Sequence, residues 1–190
     1  MPRIHLPSRD EMNVEQREVY DRIVSGPRGK IQGPLRAALH NAELAEKWQA
    51  LGSLLRYRTS FSPRLSEIAI LVTGRQGQSP FEWYAHRIEA ERVGVEVSLI
   101  EAILQGERPQ DLSEEDAAVY DYAMQLCQHR SVSDAVYARA LRHFGERGVV
   151  ELTALVGYYT MVAMTLNCHE IPLPEGVAPA FPLPQHAGLK

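Results

Sequence analysis

The chain has 190 residues, 45% of them apolar and 23% charged, with a formal net charge of −4 and a pI near 6.0. This is ordinary globular composition, long enough to bury a core without disulfide or metal staples. It lacks the basic stripe of a nucleic-acid binder, and Cys127 and Cys168 share no CxxC or metal-ligand spacing, so both read as free thiols suited to a reducing cytoplasm.

Residues 1–10 are polar, with two prolines and no apolar h-region, so they do not read as a signal peptide. Asn13 with Gln16 forms a capping box opening a helix to about residue 24. Residues 25–34, rich in Gly and Pro, read as a loop, and a second helix runs from about 41 to 57. Ser62-Pro63 supplies an N-cap followed by proline at N1, and Leu65, Ile68, Ala69 and Val72 give that helix one apolar face. Residues 68–72 alone would also suit a buried strand, but the Ser-Pro start favours helix. Residues 73–78, with Gly74 and Gly77, read as a loop.

Ser79-Pro80 opens the next helix, ending near Gly94. A short helix covers 98–104, Ser113 with Asp116 caps one to about 128, and Ser133 starts one that Gly145 ends. The run 149–166 holds Glu151 and four Thr or Gly residues, so it reads as a core helix, 151–167, rather than a membrane span. Residues 172–190 hold five prolines and read as an extended arm. The expectation is an all-α fold in three parts: an N-terminal helix and loop (1–34), a helical domain (35–175) and a proline-rich tail (176–190).

The chemistry concentrates between Glu67 and His86. The short 73–78 connection makes its two flanking helices antiparallel neighbours. With about 1.5 Å of rise per residue, Glu67 and His86 both fall roughly 8–9 Å from the hairpin end. Glu82 and His86 are spaced i, i+4 on one face, with Ser79 one turn earlier. Glu67, Ser79, Glu82 and His86 therefore converge. Other readings stay open: Ser79-x-x-Glu82 is also a capping box, Glu67 has Arg64 and Arg75 as possible partners, and His86 also suits core packing. Glu82-x-x-x-His86 lacks the i, i+3 spacing and extra glutamates of a di-iron site, so no metal is expected.

Arg64-Leu65-x-Glu67-Ile68-Ala69-Ile70-Leu71 followed by Phe81-Glu82-Trp83-x-x-His86 resembles the carboxymuconolactone decarboxylase and alkylhydroperoxidase D superfamily. The stretch from Glu151-Leu152 through Gly157-Tyr158-Tyr159 to Leu166-Asn167 and Pro172-Leu173-Pro174 resembles its decarboxylase-like members, and the likeness spans roughly residues 35–175. In the peroxidase branch a glutamate precedes two cysteines and a histidine; here those positions are Glu67, Ser79, Glu82 and His86. Both thiols are gone, and serine and glutamate cannot attack or resolve a peroxide.

The resemblance implies an AhpD-like helical bundle and a cofactor-free decarboxylation of a small carboxylated lactone or related ring acid. His86 would donate or relay the proton, Glu67 would orient the imidazole or shuttle the proton, and Glu82 would complete the catalytic group. Ser79 with its backbone amides, Trp83, and Arg75 on the loop would contact substrate. It also implies a homo-oligomer, a trimer or hexamer, in the cytoplasm, with no nucleic-acid or membrane partner. A thiol-less relative of the peroxidases and a non-catalytic ligand-binding oligomer are the alternatives.

Overall fold

Half of the helices begin where a short polar side chain satisfies a free amide of the first turn. In the computed structural model, which describes residues 2–26 and 29–182, Asn13 caps α1 (Val14–Ser25) in a reciprocal box with Gln16. The five-residue α2 (Pro34–Ala38) starts on proline after Gly33, and Asn41 caps α3 (Ala42–Tyr57). Ser62 caps α4 (Pro63–Gln76), and Ser79-Pro80 opens α5 (Pro80–Arg92). Then follow α6 (Val97–Gln105), α7 (Glu114–His129) capped by Ser113, and α8 (Asp134–Cys168). No strand occurs among the described residues, and the fold is all-α.

The sequence placed a loop over 73–78, but Thr73, Gly74, Arg75 and Gln76 complete the last turn of α4. Only residues 77–79 turn the chain. The turn is fastened by Gly77 N–H to Thr73 O at 2.8 Å and by Asn167 Nδ2 on α8 donating to Gly77 O at 2.8 Å. α2 had no counterpart in the sequence reading. Gly145, at φ 64° and ψ −179°, breaks α8 where a stop was expected, and the helix resumes at once rather than at residue 151.

α4 lies at the centre, packed by α3, α5, α6, α7 and α8. Ile68, Ala69, Ile70, Leu71 and Val72 are all buried. A helix enclosed on every side has no polar face to show, which is why this run reads ambiguously in the sequence. Burying each large aliphatic here contributes about 1.5–3 kcal/mol. α8 is long and apolar enough to cross a membrane by length and composition, with half of its most apolar window buried inside the fold. Its inner face, including Leu152, Val156, Tyr159 and Leu166, belongs to the core.

The expected extended arm, as far as Pro182, folds back on its own chain. Phe181 meets Trp83 edge-on at 6.1 Å and carries the Arg75 guanidinium 4.9 Å above its ring. Residues 183–190 of that arm, and 27 and 28 of the expected N-terminal loop, lie outside the described residues.

Candidate active site

Glu67 on α4 and His86 on α5 face each other across the antiparallel hairpin. His86 Nδ1 lies 2.7 Å from Glu67 Oε2. Glu67 is 4% exposed, and the imidazole is largely buried too. A carboxylate only accepts, so Nδ1 carries the proton and Nε2 is the ring atom left for the cleft. The Tyr159 ring on α8 stands edge-on to the imidazole at 4.8 Å, fixing its plane from the other side.

The second Glu67 oxygen, Oε1, faces Arg56 Nη2 on α3 at 3.9 Å. Glu67 therefore takes neither arginine considered from the sequence. Arg64 is occupied by Asp116 and Glu96. Arg75 donates Nε–H to Leu104 O at 2.7 Å.

Glu82, one turn before His86, is buried, and neither carboxyl oxygen has a hydrogen-bond partner among the described residues. The capping box with Ser79 is not formed: the Ser79 amide bonds Gly74 O, and no side chain caps α5. The Glu82 carboxyl instead lies on the backbone of α4 at Gly74. A Cβ at Gly74 would come within 3.2 Å of both Glu82 Cγ and Oε1, so the glycine that suggested a loop makes room for the carboxyl inside a helix. Burial, and next the charge of Glu67, push the Glu82 carboxyl well above its ordinary range, which favours its protonated form.

Glu82 and His86 line a cleft of about 410 Å³, with Arg56, Tyr159, Phe81 and Leu166 among its walls and Lys30 and Glu89 also on its lining. Glu67 stands behind His86. Three residues expected to contact substrate lie elsewhere. Ser79 is buried and Trp83 is in the core, the Ser79 hydroxyl and the Trp83 Nε1 without a hydrogen-bond partner among the described residues, and Arg75 is a helical residue under Phe181. None of the three lines the cleft. Arg56 and Tyr159 were missed, because they sit 11 residues before and 92 residues after Glu67 in sequence. A signal for Arg56 existed: it follows Trp48 and Gly52 at i+8 and i+4, so an arginine falls in phase with the buried side of its helix. No three His, Cys, Asp or Glu side chains group as metal ligands among the described residues.

No protein-family model matches the chain, and no curated protein matches it in sequence. Solved structures do match in fold. A peroxidase-related protein from Ralstonia eutropha described as an alkylhydroperoxidase AhpD core is similar with a TM-score of 0.76 at 12% identity, covering 92% of this chain and 93% of that one. A peroxidase-related protein from Silicibacter is similar with a TM-score of 0.73 at 16% identity, covering 90% and 91%. An alanine variant of the debrominase Bmp8, in complex with 2,3,4-tribromopyrrole, is similar with a TM-score of 0.70 at 12% identity, covering 85% and 87%. The fold is thus AhpD-like, in agreement with the superfamily resemblance carried by residues 64–71 and 81–86.

Proposed function

We propose that this protein is a cofactor-free acid–base enzyme, a lyase resembling carboxymuconolactone decarboxylase that acts on a small carboxylated lactone or related ring acid. The observation that carries the reading is the pairing of two titratable groups on one cleft: the Glu67-backed His86 imidazole and the buried Glu82 carboxyl, whose surroundings favour its protonated form. Sites that hold titratable groups in such unlike environments divide acid and base roles between them.

In this reading the substrate's carbon–carboxylate bond breaks, carbon dioxide leaves, and the bonding electron pair passes into the conjugated lactone carbonyl as an enolate. His86, as the imidazolium, delivers its Nε2 proton to the receiving ring carbon, is left as the neutral Nδ1–H imidazole and is reprotonated at Nε2 from solvent, while Glu67 keeps the ring aligned and balances the imidazolium's positive charge. Glu82 gives the departing carboxylate an uncharged neighbour. Tyr159 and Phe81 wall the ring.

We also read the protein as soluble, cytoplasmic and homo-oligomeric, on the superfamily resemblance and the AhpD-like fold. The test is direct: incubate the protein with carboxymuconolactone, follow carbon dioxide release, and compare wild type with His86→Ala. No release above the uncatalysed rate with any carboxylated lactone would leave only a ligand-binding role.

A further inference from the structure

Beside the cleft lies a second space that the mechanism leaves unused. It measures about 520 Å³ and is bounded by residues 7–9, Tyr20 of α1, Arg36 of α2 and residues 171–174 of the tail. The two arginines in its wall are structural ties. Arg9 grips Asp21 through two hydrogen bonds of 2.8 and 2.7 Å, and Arg36 donates to Leu6 O at 3.0 Å. Ile31, Phe81, Ile171 and Leu173 also line it, together with three prolines, which have no N–H to offer. Such walls suit hydrocarbon, whose apolar surface gains by leaving water.

The two spaces share a wall. Phe81, Gln32 and Pro174 line both, whereas Ile31 and Leu173 line the second alone. The Phe81 ring rests on the bare backbone of Gly33. A Cβ there would stand 3.0 Å from Phe81 Cε1 and 3.7 Å from Leu166 Cδ2, and φ is 58°. The partition at Phe81 is thus a single side chain. Phe81 precedes His86 by five residues on α5, about 7.5 Å along the helix axis. A ring acid presented to His86 Nε2 therefore reaches the second space only through a substituent.

We propose that the second space is a subsite of the cleft, and that it holds a hydrocarbon chain carried by the ring acid past the edge of Phe81. The inference rests on the lyase reading above and narrows its substrates to ring acids bearing an alkyl chain. The carboxylate and the ring stay beside Glu82 and His86. Ile31 and Leu173 are then specificity-determining residues, which touch the chain and no reacting atom.

Binding of unreactive probes tests this without turnover. The wild-type protein is titrated with 5-methylfuran-2-carboxylate and with the 4-hexyl and 5-hexyl furan-2-carboxylates. Each methylene carried into the second space should tighten binding about fourfold, so the better hexyl probe should bind at least about tenfold tighter than the methyl one. Ile31→Asp and Leu173→Asp each place a carboxylate in the second space and leave the lining of the cleft intact. Both should remove most of the hexyl-to-methyl ratio. Ile88→Ser, at the exposed mouth of the cleft, should keep it. No hexyl preference in the wild type, a ratio that survives both aspartate variants, or one lost only in Ile88→Ser would each overturn the proposal. A ratio that depends on Ile31 and Leu173 in a protein that releases no carbon dioxide from any lactone acid would overturn the lyase reading and leave this subsite standing.

Discussion

Glu67 holds His86 from behind: Oε2 meets Nδ1 at 2.7 Å, the other oxygen faces Arg56, and the imidazole's remaining nitrogen is left for the cleft. His86→Ala is expected to lower turnover of a carboxylated lactone by about two to four orders of magnitude, the usual scale for a general acid–base residue. Cooperative unfolding should persist, because the residue sits on a cleft wall. Glu67→Gln should cost less than His86→Ala if Glu67 only orients the ring, and as much if it passes the proton. Steady-state kinetics beside a thermal melt checks both, and full activity in His86→Ala would remove the imidazole from the mechanism.

Glu82 makes folding pH-dependent. Its carboxyl, ordinarily near 4.5, is raised well above that in the folded chain, chiefly by burial. Between the unfolded and folded values the native state holds a proton that the unfolded state has released. The contribution is therefore fully present below the unfolded value and lost as pH rises through the folded one. Glu82→Gln, which keeps the shape without the acid, should be more stable than wild type above neutrality. The gap should widen with pH by up to about 1.4 kcal/mol per unit inside that window. Urea unfolding across a pH series measures it, and parallel curves for the two proteins would mean that Glu82 ionises alike in both states.

Hydroperoxide with a dithiol reductant should give no turnover above the uncatalysed rate. Cys127 is partly buried on α7, its thiol pushed up chiefly by that burial, with Thr73 Oγ1 3.9 Å away. Cys168 is exposed at the far end of α8. Neither lines the cleft. A coupled peroxidase assay decides the matter, and turnover that vanishes in Cys127→Ser or Cys168→Ser would show that a thiol is at work.

Self-association is expected through α8. Val150, Ala154, Gly157, Met161 and Met164 are exposed, at alternating spacings of four and three, the seam by which two helices interlock. The Met161→Asp, Met164→Asp double variant should sediment as a monomer where wild type assembles. A monomeric wild type at micromolar concentration would refute the expectation.

Much of the helical order was legible because its signals are local. Asn13, Asn41, Ser62 and Ser113 cap their own helices, and Gly145 breaks the last one. The Glu67–His86 pairing was legible for a related reason: a short hairpin converts sequence distance into depth. Gly74 misled because its smallness serves a side chain on another helix rather than a turn. α2, five residues long, offers too few turns for a periodic pattern. Arg56 and Tyr159 come from distant helices, and nothing in their spacing ties them to Glu67. Arg75 and Trp83 were assigned to substrate by nearness along the chain, yet both lie under the returning tail, which sequence distance does not reveal.

The Glu82 carboxyl, which has no hydrogen-bond partner among the described residues, also makes the protein its own spectroscopic reporter wherever the pH keeps that carboxyl protonated. A protonated acid accepting no hydrogen bond has a carbonyl stretch well separated from the bands of the ionised carboxylates and the amide backbone. Infrared difference spectra recorded as a ligand is added would register that vibration shifting or vanishing at one known atom, with no label introduced, and Glu82→Gln would confirm the assignment by erasing the band.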